Sequence, residues 1–135
     1  DLDLAVNESN SNPVYYVQYA YARIASVFRV VAENGHEFKE VKEFKILEQD
    51  KIKRLVSTLL QYSQYIEEAA SKRIPHKICQ YVYQLAGALH SYYNDEKIIT
   101  DNPEELNEKL TLLKAVQIVL KDALGLIGVN TVERM

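Results

Sequence analysis

The sequence predicts an all-α fold, an antiparallel bundle of about five helices. Three observations carry this expectation. Apolar residues recur at three- and four-residue intervals along most of the chain. No segment of useful length alternates with the period of a strand. Glycines and prolines are few, Gly 4 and Pro 3 in 135 residues, and they sit mostly between the apolar stripes, where they punctuate them.

Asn12 followed by Pro13 gives a cap residue and then Pro at the first helical position. Val17, Tyr21, Ile24, Phe28 and Val31 form the core stripe of this first helix, which is expected to run to about Glu33, with Asn34-Gly35 ending it. Residues 36 to 46 alternate Lys and Glu with little periodicity and read as a solvated connection or frayed turn. A second helix is expected from near Glu48, with Ile52, Leu55, Val56, Leu59 and Leu60 as its apolar face. Tyr62-Ser63 reads as a break before a stripe of Tyr65, Ile66, Ala69 and Ala70. Pro75 ends that helix and opens the next, striped by Ile78, Val82, Leu85, Leu89 and Tyr92 and ending near Asp95. Asn102-Pro103-Glu104-Glu105 is a capping-box start. Leu106, Leu110, Leu113, Leu120 and Leu124 then face the core, and Gly125 and Gly128 end the helix before a tail.

At this length the chain is expected to be one domain, residues 1–135, and 47% hydrophobic residues suffice for a core. No apolar run is long enough to span a membrane, and the short acidic start, Asp1-Leu2-Asp3-Leu4, is no signal peptide. Without an initiator Met, the chain reads as a C-terminal fragment of a longer protein. The single cysteine, Cys79, cannot form an internal disulfide, which suits a reducing cytoplasm; it reads as a small packed residue. A net charge of -3 argues against a free-standing, non-specific nucleic-acid binder, and DNA is not an expected partner. The charge is uneven, however. Asp1, Asp3 and Glu8 crowd the start, the span from Asn12 to Ala32 carries Arg23 and Arg29 with no acid, and Lys72, Arg73, His76 and Lys77 form a second basic spot.

The face opposite the first helix's core stripe is unusual. Tyr15, Tyr19, Arg23 and Ser26 lie there, where Lys, Glu or Gln would suit a purely structural helix. Phenol rings followed at i+4 by a guanidinium suit unstacked bases of single-stranded RNA. The same pattern also suits a helix buried on two sides, with Tyr at the core edge. Tyr93 poses a similar choice: beside Tyr92 on the core stripe, it cannot face the same core, so it is an exposed ring, a bridge to another helix or a stacking surface. No catalytic arrangement is expected. Nor is a metal site: Glu33 and His36 flank a helix-ending Gly35, and His76 and His90 lack an acidic ligand beside them. No Rossmann fingerprint or P-loop is present.

The stretch Asn12-Pro13-Val14-Tyr15-Tyr16-Val17-Gln18-Tyr19-Ala20-Tyr21-Ala22-Arg23-Ile24 resembles the opening motif of the C-terminal, DALR-type anticodon-binding domain of arginyl-tRNA synthetases. The resemblance covers essentially the whole chain. It continues through Ile74-Pro75-His76, Tyr81, Leu85-Ala86, Leu89-His90 and Tyr92-Tyr93-Asn94, then Leu110, Leu112-Leu113, Val119-Leu120 and Leu124 to Val129, and the ending Val132-Glu133-Arg134-Met135. One departure is Tyr21, where the family usually has His; Tyr keeps a flat ring and a hydrogen-bonding tip.

The resemblance implies a class I synthetase anticodon-binding bundle and a tRNA-binding role for Tyr19, Arg23, Tyr93, Met135 and, more weakly, Gln18. It leaves Tyr15 and Tyr16 open between fixing the helix and extending the face. It implies the anticodon loop of an arginine tRNA and the catalytic domain of the same chain as partners. The parent would use ATP and magnesium, with no cofactor in this domain. A cysteine or methionine synthetase domain, or a helical protein-interaction module, are the alternatives. From Val129 the tail is expected to return toward the tyrosine face, since seven extended residues reach on the order of 23–25 Å.

Overall fold

The computed structural model describes residues 12–72 and 75–135; Asp1, Asp3, Glu8, Arg73 and Ile74, and the side chain of Ala70, lie outside what is described. Five helices follow in order: α1 (Pro13–Glu33), α2 (Gln49–Leu60), α3 (Tyr62–Lys72), α4 (Pro75–Asp95) and α5 (Pro103–Leu126). Among the described residues there is no strand, and no helix is long and apolar enough to cross a membrane.

Local chemistry sets the ends. The Asn12 side chain accepts from the N–H groups of Val14 and Tyr15, and that of Asn102 from those of Glu104 and Glu105, so both proline-led helices are capped. Gly35 (φ +84) and Gly128 (φ +75) close α1 and α5 in the left-handed conformation. Each carries the paired terminal bonds of a Schellman motif, His36 N–H to Val31 O with Gly35 N–H to Ala32 O, and Val129 N–H to Leu124 O with Gly128 N–H to Gly125 O. Gly125, expected to share in ending the last helix, lies inside it.

Cross-contacts fix the directions. Lys51 meets Glu96 (3.1 Å), Arg54 meets Ser91 (3.2 Å), the Tyr81 hydroxyl donates to Thr58 O (2.6 Å), and Lys77 meets Glu68 (3.3 Å). Numbers climb along α2 and α3 as they fall along α4, so the break at Gln61 interrupts one antiparallel arm. α5 likewise opposes α1, with Asn107 at His36 and Asn130 at Gln18. α1 and α4 run the same way: Tyr16 packs on Tyr83, and Arg23 on Tyr93. The five helices therefore form four arms, alternating in direction. α4 touches all the others. The stripes predicted for α4 and α5 are buried throughout, with Leu85, Leu89, Leu110, Leu113 and Leu120 fully enclosed.

Three expectations change. Cys79 is exposed: Ile78 takes the core-facing position, and one residue on, about 100° round the helix, the side chain points to solvent. Leu60 is 76% exposed at the end of α2, where the arm breaks. The segment after α1 is irregular, as expected, but it is not simply solvated. Phe38 and Phe44 pack on the core and Leu47 is buried. Its backbone is stapled to α5: Glu108 accepts from the N–H groups of Lys45, Ile46 and Leu47, Asn107 from Lys39, and Thr111 from Val41.

Burial alone would raise the Glu108 carboxyl's pKa, but the hydrogen bonds from Leu47, Ile46 and Lys45, helped by the Lys45 charge, outweigh it and hold it below the ordinary carboxyl value. A depressed carboxylate adds stability above its unfolded pKa and loses it as pH falls through the folded one. Glu108→Ala should therefore cost about 2–4 kcal/mol at neutral pH, because three N–H groups lose a charged acceptor. It should also flatten the acid limb of the stability profile. Urea unfolding across a pH series measures both; a variant as stable as the parent would remove the staple from the account.

Candidate nucleic-acid interface

The core stripe of α1 determines what its other face offers. Val17, Tyr21 and Ile24 are buried, so Tyr15, Tyr19, Arg23 and Ser26 line the side turned away from the α1 core contacts, partly accessible. The rings of Tyr15 and Tyr19 lie 6.0 Å apart and 18° from parallel. Beyond Tyr19 comes Arg23, with its guanidinium carbon 4.8 Å from the Tyr19 ring centre and 4.3 Å from that of Tyr93. Both distances lie within cation–π range, each contact contributing about 0.5–2 kcal/mol according to its desolvation. Tyr93 comes from α4, so a guanidinium held between two rings joins the two helices that run in the same sense.

A third group locks that guanidinium. Arg23 Nη1 lies 3.0 Å from His90 Nδ1, and His90 Nε2 lies 3.1 Å from the carbonyl oxygen of Tyr16. Arginine can only donate and a carbonyl can only accept, so the imidazole is neutral, with its proton on Nε2. Burial pushes the His90 pKa down; the bond to Tyr16 opposes this, and the Arg23 charge adds to it, with a net shift below the ordinary histidine value. The ring is wedged between Tyr16 and Tyr19, with centroids 4.7 and 5.6 Å away.

The tail completes the site. Past Gly128 it returns over α1, where the Gln18 amide donates to Asn130 O (3.1 Å) and Arg29 Nη1 to Glu133 O (2.9 Å). Arg134 and Met135 then line a cavity of about 320 Å3 together with Tyr19, Arg23, Arg29 and Tyr93. Larger depressions lie beside the 36–48 connection, about 440 Å3, and along α2, about 620 Å3, with no aromatic ring in either, and between α2 and α4, about 380 Å3, where Tyr92 is the single ring and Asp50, Asp95 and Glu96 make the lining acidic.

Of the residues singled out in the sequence, Tyr19, Arg23, Tyr93 and Met135 thus share one cavity, and Gln18 sits beside it as a holder of the tail. Tyr21, predicted on the core stripe of α1, is in the core. Tyr16 packs between Tyr83 and His90, while Tyr15 extends the ring row. The basic spot near residue 75 is partly neutralised: Lys72 and Lys77 both pair with Glu68. Sequence reasoning missed His90 and the tail-binding role of Arg29. The signal for Arg29 was its place three residues after Ser26 on the same side of α1. His90 gave none by itself, since its role depends on a contact across two helices.

Residues 17–135 match the family of the DALR anticodon binding domain. The arginine–tRNA ligases of Bacillus velezensis and Bacillus subtilis are each 48% identical to the chain over 136 residues, covering 100% of it and 24% of themselves. The chain thus spans about a quarter of the length of these curated relatives. A crystal structure assigned as an arginyl tRNA synthetase from Campylobacter jejuni superposes with a TM-score of 0.78 at 32% identity, covering 99% of this chain and 29% of that one. For the arginyl-tRNA synthetase of Thermus thermophilus the values are 0.70 and 30%, covering 89% and 21%.

The tail contacts make a direct prediction. Replacing both Gln18 and Arg29 with Ala should free the last residues, so that trypsin cuts after Arg134 and carboxypeptidase removes Met135 faster than from the parent. Each bond contributes about 1 kcal/mol or less at a solvent-exposed position, so the melting curve should barely move. Unchanged digestion rates would show that these two bonds do not hold the tail.

Proposed function

The chain belongs to the DALR anticodon binding domain family, and from that premise we propose that residues 1–135 are the anticodon-recognition domain of an arginine–tRNA ligase. The observation that carries the reading is Arg23 fixed between Tyr19 and Tyr93 in a cavity whose lining the tail extends with Arg134 and the half-exposed Met135. Among the described residues, one of the guanidinium's N–H donors is spent, on His90. The remainder are available to base edges, and the tyrosine rings give a splayed base a flat apolar wall. Arg29 and Arg134 add positive charge on the same cavity in a chain whose net charge is -3. This suits a module that reads a few bases and leaves most phosphate contacts to other parts of its parent.

In this reading the partners are the anticodon loop of an arginine tRNA and the catalytic domain of the same polypeptide. The parent works in the cytoplasm and attaches arginine to tRNA using ATP and magnesium. The chemistry takes place outside this domain, whose own residues bind, orient and discriminate.

In the full-length protein, Tyr19→Ala, Arg23→Ala and Tyr93→Ala should each raise the KM for arginine tRNA by about ten- to a hundredfold, as expected for contacts of roughly 1–3 kcal/mol. Arginine-dependent ATP–pyrophosphate exchange should stay near the parental rate. Residues appended after Met135 should lower discrimination against a tRNA altered at the middle anticodon base. Aminoacylation kinetics with both tRNAs provide the measurement. Normal tRNA kinetics in variants that melt much earlier would make these side chains structural.

A further inference from the structure

Arg23 is the one side chain in the cavity that both rings and a buried polar group hold at once, and that polar group titrates. His90 lies on α4 with 8% of its surface exposed, three residues before Tyr93 and on the side facing α1. Its two nitrogens are both committed, Nε2 to the Tyr16 carbonyl and Nδ1 to Arg23. The first bond fixes the ring's orientation and tautomer, and the second anchors the guanidinium where its carbon lies 4.8 and 4.3 Å from the two tyrosine ring centres. We infer that His90 is the positioning residue of the interface: its neutral ring holds Arg23 between Tyr19 and Tyr93, and protonation of that ring releases Arg23 and weakens base discrimination. The inference rests on the anticodon reading of the same cavity.

Among the described residues no carboxylate is hydrogen-bonded to the His90 ring or packed on it. From α1, Arg23, Tyr16 and Tyr19 face the ring. From α2, Arg54 bonds to Ser91 beside it and reaches the space next to Gly87 and the Tyr16 hydroxyl. From α4, Tyr83 packs on Tyr16 and Tyr93 on Arg23, and from the tail Arg134 and Met135 line the cavity that Arg23 enters. The side chains bonded to or packed on the ring are thus a cation and two phenols. A protonated Nδ1 cannot accept from Arg23, and it sets two positive charges against each other. Burial lowers the ring's pKa, and the Arg23 charge adds to that, so the neutral form holds at physiological pH and fails only as the medium becomes acidic. The dependence has one sign: recognition is complete above the folded-state pKa of His90 and falls as pH drops through it.

The test uses the full-length protein and the ratio of its affinities for an arginine tRNA and for the same tRNA altered at the middle anticodon base. The ratio cancels phosphate contacts common to both. Measured from about pH 8 to about pH 5, the parent's ratio should fall by about tenfold, the equivalent of one good hydrogen-bonded contact. His90→Gln supplies a neutral acceptor without a titrating ring, so it should keep most of the ratio at the alkaline end and show a flat profile. His90→Leu should lose about tenfold of the ratio across the whole range, also with a flat profile. A parental ratio in His90→Leu, or an undiminished pH dependence in His90→Gln, overturns the inference; if His90→Leu fails to fold, the His90→Gln profile decides alone. Arg23→Ala separates the two levels. An unchanged ratio there overturns the anticodon reading itself, whereas a collapsed ratio beside parental behaviour in both His90 variants overturns only the role of His90.

Discussion

Every other helix leans on α4, and its fixed position is the constraint on which the site depends. Tyr81, Leu85, Ala86 and Leu89 have no exposed surface, so α4 cannot rotate or slide without opening the core. The two residues that matter most for the cavity, His90 and Tyr93, follow directly on this buried stretch. Their placement is therefore set by apolar packing rather than by the site's own weak polar contacts. α1 is fixed in the same way by Val17, Ile24 and Val31, which brings Tyr19 and Arg23 to meet them. The ring–guanidinium–ring arrangement needs only small energies of its own, because the bundle has already met the cost of ordering its partners.

The parallel sense of α1 and α4 has a further effect. Their backbone dipoles point the same way, which gives neither helix end a favourable partner across the pair. Instead the pair is joined by side chains from the first turn to the middle of α1 and from the middle to the last turns of α4, through Tyr16 with Tyr83, Tyr16 with His90, and Arg23 with Tyr93. Aromatic and cationic groups thus accumulate along one seam. A chain that is acidic overall places Arg23, Arg29 and Arg134 on that seam and the adjoining tail, while elsewhere Lys51, Lys72, Lys77 and Lys109 are paired with carboxylates.

Most of the architecture was legible because local rules and tertiary packing agree. The Asn–Pro caps at residues 12 and 102, the stripe from Ile78 to Tyr92 and the glycine at 128 all stand where periodicity and capping chemistry put them. What escaped was nonlocal. Glu108 stands off the predicted apolar stripe of its helix, and nothing local announces that the three N–H groups of Lys45, Ile46 and Leu47 converge on it from 61 to 63 residues away. By sequence His90 invites consideration only as a metal ligand, because its contacts with Tyr16 and Arg23, which take its two nitrogens, come from another helix. The same holds for Arg29, whose partner is a backbone atom of the tail. Helical spacing reveals which way a side chain points, but not which polar atom another segment will bring to it. At Cys79 the error was different: residue type suggested burial, and the phase of the helix decided against it.

Both bonds that hold the tail end on main-chain oxygens, those of Asn130 and Glu133. Main-chain oxygens are the same whichever side chain stands there, so the tail works as a measuring rod. Gly128 sets its zero, the Gln18 and Arg29 donors mark two graduations, and Met135 is delivered to the cavity by distance alone. Such a rod tolerates substitution along its shaft and is intolerant of a change in length. One residue inserted or removed between Gly128 and Glu133 would carry the tip past the cavity or short of it by about 3.3 Å, roughly the thickness of a nucleobase.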